Sequence, residues 1–210
     1  MFAVTAARFD TDNPLAGLEL GQRPDPSPPE GWETVTVKAA SLNRHDVWTL
    51  RGVGISADRL PIVLGRAAGH RIWATSRSEA KQERALELGA DQVFPAGSRL
   101  PERVDAVMET VGEATWAHSL RALRPGGRIV ICGATSGAVP SAELNRVFFQ
   151  QLSVVGSTMG SRGQLGRLLR FCEQTGVRPR IDRTLPLSQA ADGFAAMIAG
   201  DLFGKVVFTL

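Results

Sequence analysis

Tyrosine is absent from the 210 residues, so any reaction that needs a phenolic proton donor is closed to this chain. Cysteine occurs twice, as Cys132 in an apolar run and Cys172 in an amphipathic one. Two isolated cysteines fill a core; they build neither a disulfide framework nor a zinc site, which takes three or four Cys, His or acidic ligands. No apolar run reaches the roughly 20 residues of a membrane helix, and MFAVTAARFD lacks the basic-then-apolar layout of a secretory leader. The expectation is a cytoplasmic protein with no membrane partner. Lysine is scarce: Lys38, Lys81 and Lys205 stand among 24 basic residues. The arginines are scattered, without a block of five or more. The net charge of +3 and a pI of about 9.4 therefore point to no nucleic-acid partner.

What is present is ordinary for a globular protein, 43% hydrophobic and 21% charged, with room for one large domain or two small ones. The organising stretch is Val104 to Gly133. Val104 to Met108 is a short apolar run and reads as a core strand. Glu109 to Gly112 is a turn. Glu113 to Arg124 carries Trp116, Ala117, Leu120 and Leu123 on one helical face, and Pro125-Gly126-Gly127 ends that helix. Arg128 to Cys132 is a second strand. The pattern is a βαβ unit, its strands buried on both faces and parallel, with their carboxyl ends on one edge. Ligands of open α/β sheets bind at that edge. It carries Glu109-Thr110-Val111-Gly112 and Gly133-Ala134-Thr135-Ser136-Gly137, small and backbone-rich loops that suit a phosphate-bearing cofactor or are simply tight βα turns.

The remainder sorts around this unit. Residues 1–37 read as short strands broken by turns, and Trp32 to Ala39 alternates as a half-buried strand. Asn43, Arg44, His45 and Asp46 follow it, either as substrate-facing groups or as a polar helix start. Gly52 to Ala57 fits G-x-G-x-x-A, but Pro61 is expected to stop a following helix and no βαβ unit surrounds it. The character changes at Gly65-Arg66. Arg66 to Gly69 resembles the end of a helix that has no body before it. Arg71 to Thr75 reads as a strand, Ser76 to Glu79 as a capping box opening a helix, and Ala90 to Phe94 as the next strand. After Gly133 come a helix from Ser141, a core strand Leu152 to Gly156 with the loop Ser157 to Ser161, a helix Gln164 to Thr175, an extended Arg183 to Leu187, a helix capped by Ser188 and a closing strand Lys205 to Leu210.

In a dinucleotide fold an acid at the end of the second strand holds the ribose hydroxyls of NAD, whereas an Arg there accommodates a 2′-phosphate. Here there is no acid at the strand end, and Ser76, Arg77 and Lys81 offer a hydroxyl and two cations. The plainer alternative is a helix cap with two solvated cations.

SLNRHDVWTLRG, LPIVLG, HRIWATSRSEAKQERALELGAD, VDAVMETVG, LRPGGRIVICGATSG, QLSVVGSTMGSR and GKVVFTL occur in this order across nearly the whole chain. Together they resemble the medium-chain dehydrogenase/reductase superfamily, in its zinc-free branch of NADPH:quinone oxidoreductase-like enzymes. The resemblance implies an α/β fold with a Rossmann-like parallel sheet over 66–180 and a partial, β-rich GroES-like substrate domain over 1–65 with 181–210. It implies an NADPH-dependent oxidoreductase acting on a small carbonyl or quinone, commonly as a homodimer through the strand 152–156. Ser76, Arg77 and Lys81 would hold the 2′-phosphate, and Thr110 and Gly112 would line the cofactor cleft. Gly133, Ala134, Thr135, Ser157, Met159 and Gly160 would lie near the nicotinamide, with Lys205 near the cleft. Asn43, His45 and Asp46 would be the substrate-side, candidate catalytic residues. Asn43 stands where the superfamily's zinc enzymes have a Cys ligand, so no metal is expected.

The resemblance also implies a gap. A full member completes its β domain after the LPIVLG motif, then supplies a central strand, a glycine-rich turn for the pyrophosphate and a helix before a segment like RAAGHR. Here Gly65 abuts Arg66, so the sheet neighbours of that strand are expected to be exposed. Turnover by this form is accordingly in question. The alternatives are a non-catalytic, internally deleted member acting as an assembly partner, and a longer parent with alcohol dehydrogenase-type activity.

Overall fold

The computed structural model describes residues 1–43, 46, 47, 50, 61–200 and 202–210. The chain divides into two compact units, Met1–Ile55 with Pro179–Leu210, and Ser56–Arg178. No helix among the described residues is long and apolar enough to cross a membrane.

In the first unit β1 (Phe2–Ala6) pairs antiparallel with β2 (Leu18–Gln22), Phe2 opposite Gln22 and Ala6 opposite Leu18. A second sheet has β10 (Lys205–Thr209) at its centre, antiparallel to β3 (Ala39–Leu42) and parallel to β9 (Ile181–Pro186). A helix here named α6 (Ala190–Ala199) lies on it and ends at Gly200, whose φ of 78° is the left-handed cap that glycine adopts without strain. Its approach to the sheet is close: a Cβ on Gly193 would stand 2.7 Å from the Phe208 ring. Leu42, Val47, Leu50, Ala190, Phe194, Met197, Val206 and Phe208 form the resulting core.

Two expectations fail in this unit. The alternating WETVTVKA forms a strand only from Ala39; Trp32, Val35 and Val37 are exposed, at 73, 77 and 53%. Alternation fixes a strand only where one face has a core to meet, and residues 32–38 meet none. Ser188 is not the cap of α6, because a 3-10 turn, Leu187–Gln189, precedes the helix and Gln189 takes the cap position.

The second unit contains, in order, α1 (Pro61–Ala67), β4 (Trp73–Ser76), α2 (Glu79–Glu87), β5 (Gln92–Pro95), β6 (Val104–Glu109), α3 (Glu113–Ala122), β7 (Leu123–Ile131), α4 (Leu144–Phe149), β8 (Ser153–Gly156) and α5 (Arg162–Thr175). Helix α1 supplies the body expected to be missing before Arg66 and runs through the Gly65–Arg66 junction. Pro61 is its first described residue; the stretch that Pro61 was expected to terminate lies outside the described residues. The ladders are parallel throughout: β4 with β5, β6 with β7, β7 with β8. They form two sheets, β4-β5 and β6-β7-β8, and β4 does not pair with β6.

Helix α3 covers one face of the three-stranded sheet. Trp116, Leu120, Leu123, Ile129 and Leu152 are buried there, with Val104, Val107, Ile131 and Val147 around them. Each fully buried large side chain contributes about 1.5–3 kcal/mol. The other face is open, contrary to the expectation of strands buried on both. Met108, Val130 and Val155 lie in register across the three strands, and Met108 and Val155 are 50% and 40% exposed. Strand β8, expected in the core, is exposed along its whole length.

Several local stop and start signals act elsewhere than expected. Helix α3 stops at Ala122, and Pro125-Gly126-Gly127 lies inside β7 at a register irregularity facing Val104–Ala106. Helix α2 begins at Glu79 with Ser78 at the cap position and no side-chain capping bond, so Ser76–Glu79 is no capping box. A complete box stands instead at α5. There Ser161 Oγ accepts from the Gln164 N–H, and the Ser161 N–H donates to Gln164 Oε1. Helix α4 starts at Leu144, three residues after Ser141, and leaves Leu144 and Phe148 exposed.

Candidate functional site

The carboxyl ends of β6, β7 and β8 are aligned by the ladder, with Glu109 opposite Ile131 and Ile131 opposite Gly156. The loops that follow are therefore neighbours. Beyond the strands the alignment continues: the Cys132 N–H donates to Glu109 O at 2.9 Å and the Ser157 N–H to Ile131 O at 2.8 Å.

Glu109, 3% exposed, organises the first loop. Its Oε1 accepts from the N–H groups of Val111 (2.8 Å) and Gly112 (3.0 Å) and from Thr115 Oγ1 (2.8 Å). Its Oε2 accepts from Ser119 Oγ. A buried carboxyl group is tolerated because these donors, gathered at the start of α3, replace its water. The consequence for function is direct. The Val111 and Gly112 amides already serve Glu109 and are not free to receive a phosphate. The sequence offered no sign of it, since Glu109 reads there as part of an ordinary turn.

The second loop is fastened to the first. The Ser136 N–H and Oγ both donate to Val111 O (2.7 and 2.8 Å), the Ala114 N–H donates to Ser136 Oγ (2.9 Å), and the Glu113 N–H to Gly137 O (3.1 Å). Gly112, at φ +88°, lies so near Ala134 and Gly137 O that a Cβ would collide with them. Thr110, Gly112, Gly133, Ala134 and Thr135 are thus in one cluster, with Ser157 on the adjacent strand end. Met159 is 81% exposed, and Gly160 precedes the capping box of α5 beside Gln164. Burial, and secondarily the charge of Glu109, pushes the Cys132 thiol above its ordinary pKa.

Ser76, Arg77 and Lys81 stand at the carboxyl end of β4, in the other sheet of this unit. Ser76 Oγ accepts from the Ser78 N–H at 3.2 Å, and Ser76 O accepts from Gln82 Nε2 at 2.8 Å. Arg77 is exposed and Lys81 half-buried. They share one βα corner, the last residue of β4 and the first turn of α2.

In the first unit three more candidates meet. Lys205 Nζ donates to Asn43 Oδ1 at 2.8 Å, across 162 residues of sequence. The Asn43 N–H donates to Asp46 Oδ2 at 2.7 Å, and Asn43 Nδ2 to Ser41 O at 3.3 Å. Asn43 is held at both ends of its amide by β3 and β10. Its oxygen faces an ammonium, which is not the environment of a zinc ligand. Among the described residues no group of three or more His, Cys, Asp or Glu could hold a metal. His45 lies outside the described residues, as does the Gly52–Ala57 stretch.

A parallel sheet with crossover helices and its small loops gathered at the carboxyl edge defines the Rossmann-like class of α/β fold. Comparison with known proteins narrows that class. The sequence profile of the zinc-binding dehydrogenases matches residues 61–174, and the chain belongs to that family, within the medium-chain dehydrogenase/reductase superfamily. It is 28% identical over 199 residues to a zinc-type alcohol dehydrogenase-like protein, YogA, of Leptosphaeria maculans, covering 85% of this chain and 55% of that protein. It is 27% identical over 160 residues to quinone oxidoreductase-like protein 2 of Bos taurus, covering 67% and 46%. A solved NAD-dependent alcohol dehydrogenase matches with a TM-score of 0.65 and 34% identity over 71% of this chain and 46% of that one. The chain spans about half the length of the curated relatives it matches.

Proposed function

We propose that this chain carries the residues of an NADPH-dependent reductase of quinone or enone-like carbonyls, and that on its own it holds the cofactor weakly and turns over slowly or not at all. The observation that carries the reading is the corner after β4: Ser76, Arg77 and Lys81 bring a hydroxyl and two cations to a strand end that has no acid. That set suits a 2′-phosphate, which an exposed guanidinium can grip with two parallel N–H groups. The weak half of the reading rests on Glu109, which consumes the amides of the neighbouring turn.

Bound NADPH would supply a hydride to the conjugated carbon of the substrate. The protein's own part is orientation. Gly112 packs closely against Ala134 and Gly137, and with Gly133 and Thr135 beside them this loop cluster carries no long side chain. In the first unit Asn43 is a positioning residue, since both ends of its amide are engaged; it holds the Lys205 ammonium.

Cofactor titration followed by nicotinamide fluorescence tests the specificity. NADPH should bind about tenfold more tightly than NADH, and Arg77→Ala should remove that preference, consistent with the ~1.4 kcal/mol that a tenfold ratio represents. Equal affinities in the unaltered chain would overturn it. Robust quinone-dependent NADPH oxidation would overturn the slow-turnover half alone. A second reading is favoured by β8, an exposed edge strand carrying Val154 and Val155: a homodimeric assembly partner without catalysis. A sedimenting dimer that never binds NADPH would select it.

A further inference from the structure

At the carboxyl ends of β6 and β7, residues 133–135 stand between two anchored points. At the near end the Cys132 N–H donates to Glu109 O at 2.9 Å. At the far end Ser136 fastens to Val111 O, through its N–H at 2.7 Å and its Oγ at 2.8 Å. Among the described residues the stretch between these points is bonded only within its own loop, where the Gly137 N–H donates to Ala134 O at 3.2 Å. The position of Gly133, Ala134 and Thr135 is therefore set by their two ends.

Both ends lead to one residue. Val111 O and the Gly112 N–H belong to the same planar peptide unit and point in opposite directions. That N–H donates to Glu109 Oε1 at 3.0 Å, so the carboxylate holds the unit on one side while Ser136 hangs from the other. The near anchor is the main chain of Glu109; the far anchor is its side chain, acting through the peptide. Rotating this unit would break the Gly112 bond and both Ser136 bonds together. The carboxylate is itself fixed by the Val111 N–H, Thr115 Oγ1 and Ser119 Oγ. Ser136 Oγ also accepts from the Ala114 N–H at 2.9 Å, which ties the same serine to the first turn of α3.

We propose that Glu109 is a positioning residue for the nicotinamide end of the cofactor, and that Ser136 is the link through which its carboxylate acts on residues 133–135. The proposal rests on the cofactor reading above, in which those residues face the nicotinamide. The effect is selective by place. Ser76, Arg77 and Lys81 follow β4, which pairs with β5 in the other sheet. Disturbing Glu109 or Ser136 therefore weakens what the nicotinamide half of the cofactor contributes and spares the phosphate corner. A carboxylate that only stabilised the fold would weaken both ends alike.

Two ligands of the whole chain separate the ends. NADPH is read by nicotinamide fluorescence; adenosine 2′,5′-bisphosphate, which carries the 2′-phosphate and no nicotinamide, is read by calorimetry. Ser136→Ala should weaken NADPH about tenfold, the scale of one or two lost hydrogen bonds. It should also shrink the blue shift of the bound emission and leave the bisphosphate affinity unchanged. Glu109→Ala should show the same pattern, and Glu109→Gln should restore most of the NADPH affinity by keeping one acceptor oxygen. Glu109→Ala combined with Ser136→Ala should lose no more than Glu109→Ala alone, because both act through one peptide unit. If Glu109→Ala does not fold, Ser136→Ala and Glu109→Gln decide the matter. Parallel loss of both ligands, an unchanged ratio between them, or additive losses in the double variant would overturn the proposal and leave the cofactor reading standing. An unaltered chain that binds neither ligand would overturn that reading and the proposal with it.

Discussion

Two three-stranded sheets in this chain are each covered by a ten-residue helix, and they end differently. In β3-β10-β9 the central strand is sealed, with Val206 0% and Phe208 4% exposed. In β6-β7-β8 the α3 side is dry at its centre, with Ile129 at 0% and Leu120 at 1%, but Val154 opposite Ile129 is 45% exposed, and Met108 and Val155 on the far side remain half in water. In the first sheet β10 alternates in burial, Val206 and Phe208 inside with Val207 half-buried between them. In the second, β8 is apolar at Val154 and Val155 yet exposed at every residue. Equal local sequence quality therefore gives unequal burial, and what is missing is a neighbour.

The sharpest way to break this comparison is to truncate at matched positions. Phe208→Ala should cost about 3–5 kcal/mol and Ile129→Ala about 2–5 kcal/mol in urea unfolding, because each leaves a cavity in a closed core. Met108→Ala, of similar size, should cost under about 1 kcal/mol, since the open face has little burial to lose. If Met108→Ala proves as damaging as Ile129→Ala, the open face is covered in solution and the contrast collapses.

Next in size is Glu109→Ala. It removes the acceptor of the Val111 and Gly112 amides and of two hydroxyl groups, and should destabilise by roughly 3 kcal/mol, since buried donors left unsatisfied cost about 1–3 kcal/mol each after partial relaxation. Glu109→Gln keeps one acceptor oxygen and should recover part of the loss. Both are read by thermal unfolding. Equal stability of the Ala variant and the original chain would show that the loop cluster does not depend on this carboxyl group. A smaller effect is expected at β8. Val155→Thr keeps the β-branched shape on an exposed edge and should change monomer stability by no more than about 0.5 kcal/mol.

The same contrast explains what could be read in advance. The helix-and-strand rhythm from Trp73 to Thr175 was legible because each element carries its own period, and the parallel βαβ order followed from it. The resemblance implied a missing central strand at Gly65-Arg66; the division into two sheets, with no pairing between β4 and β6, came only with the structure. The failures lie where the answer depended on a second element. WETVTVKA alternates, but no core receives it. The run Leu152 to Gly156 is apolar, but no layer covers it. Ser161 and Gln164 had the capping-box spacing in full view, whereas Ser76–Glu79 had it without the geometry. The meeting of Asn43 with Lys205 was beyond any local pattern, because β3 and β10 are paired across most of the chain. Glu109 was hidden for the opposite reason: its donors lie within ten residues, but only the fold shows that its side chain turns inward.

The smallest effect concerns Cys132, on the rim between the closed and the open face. Burial first, and the Glu109 charge second, raise its thiol pKa in the fold. A raised value keeps the folded thiol protonated where the unfolded one, near 8.5, already ionises. Its contribution to stability is therefore intact below about pH 8.5 and declines as the pH rises from there toward the folded value. The same shift slows thiolate chemistry. In a Cys172→Ser background, alkylation of Cys132 by iodoacetamide at pH 8.5 should run several-fold slower than in the urea-unfolded chain, with the midpoint of its pH profile displaced upward. Glu109→Gln should return part of that displacement by removing the nearby charge, while the part owed to burial stays. A profile that does not move on this substitution would show that desolvation alone holds the thiol, and that the carboxyl group's field does not extend to the rim.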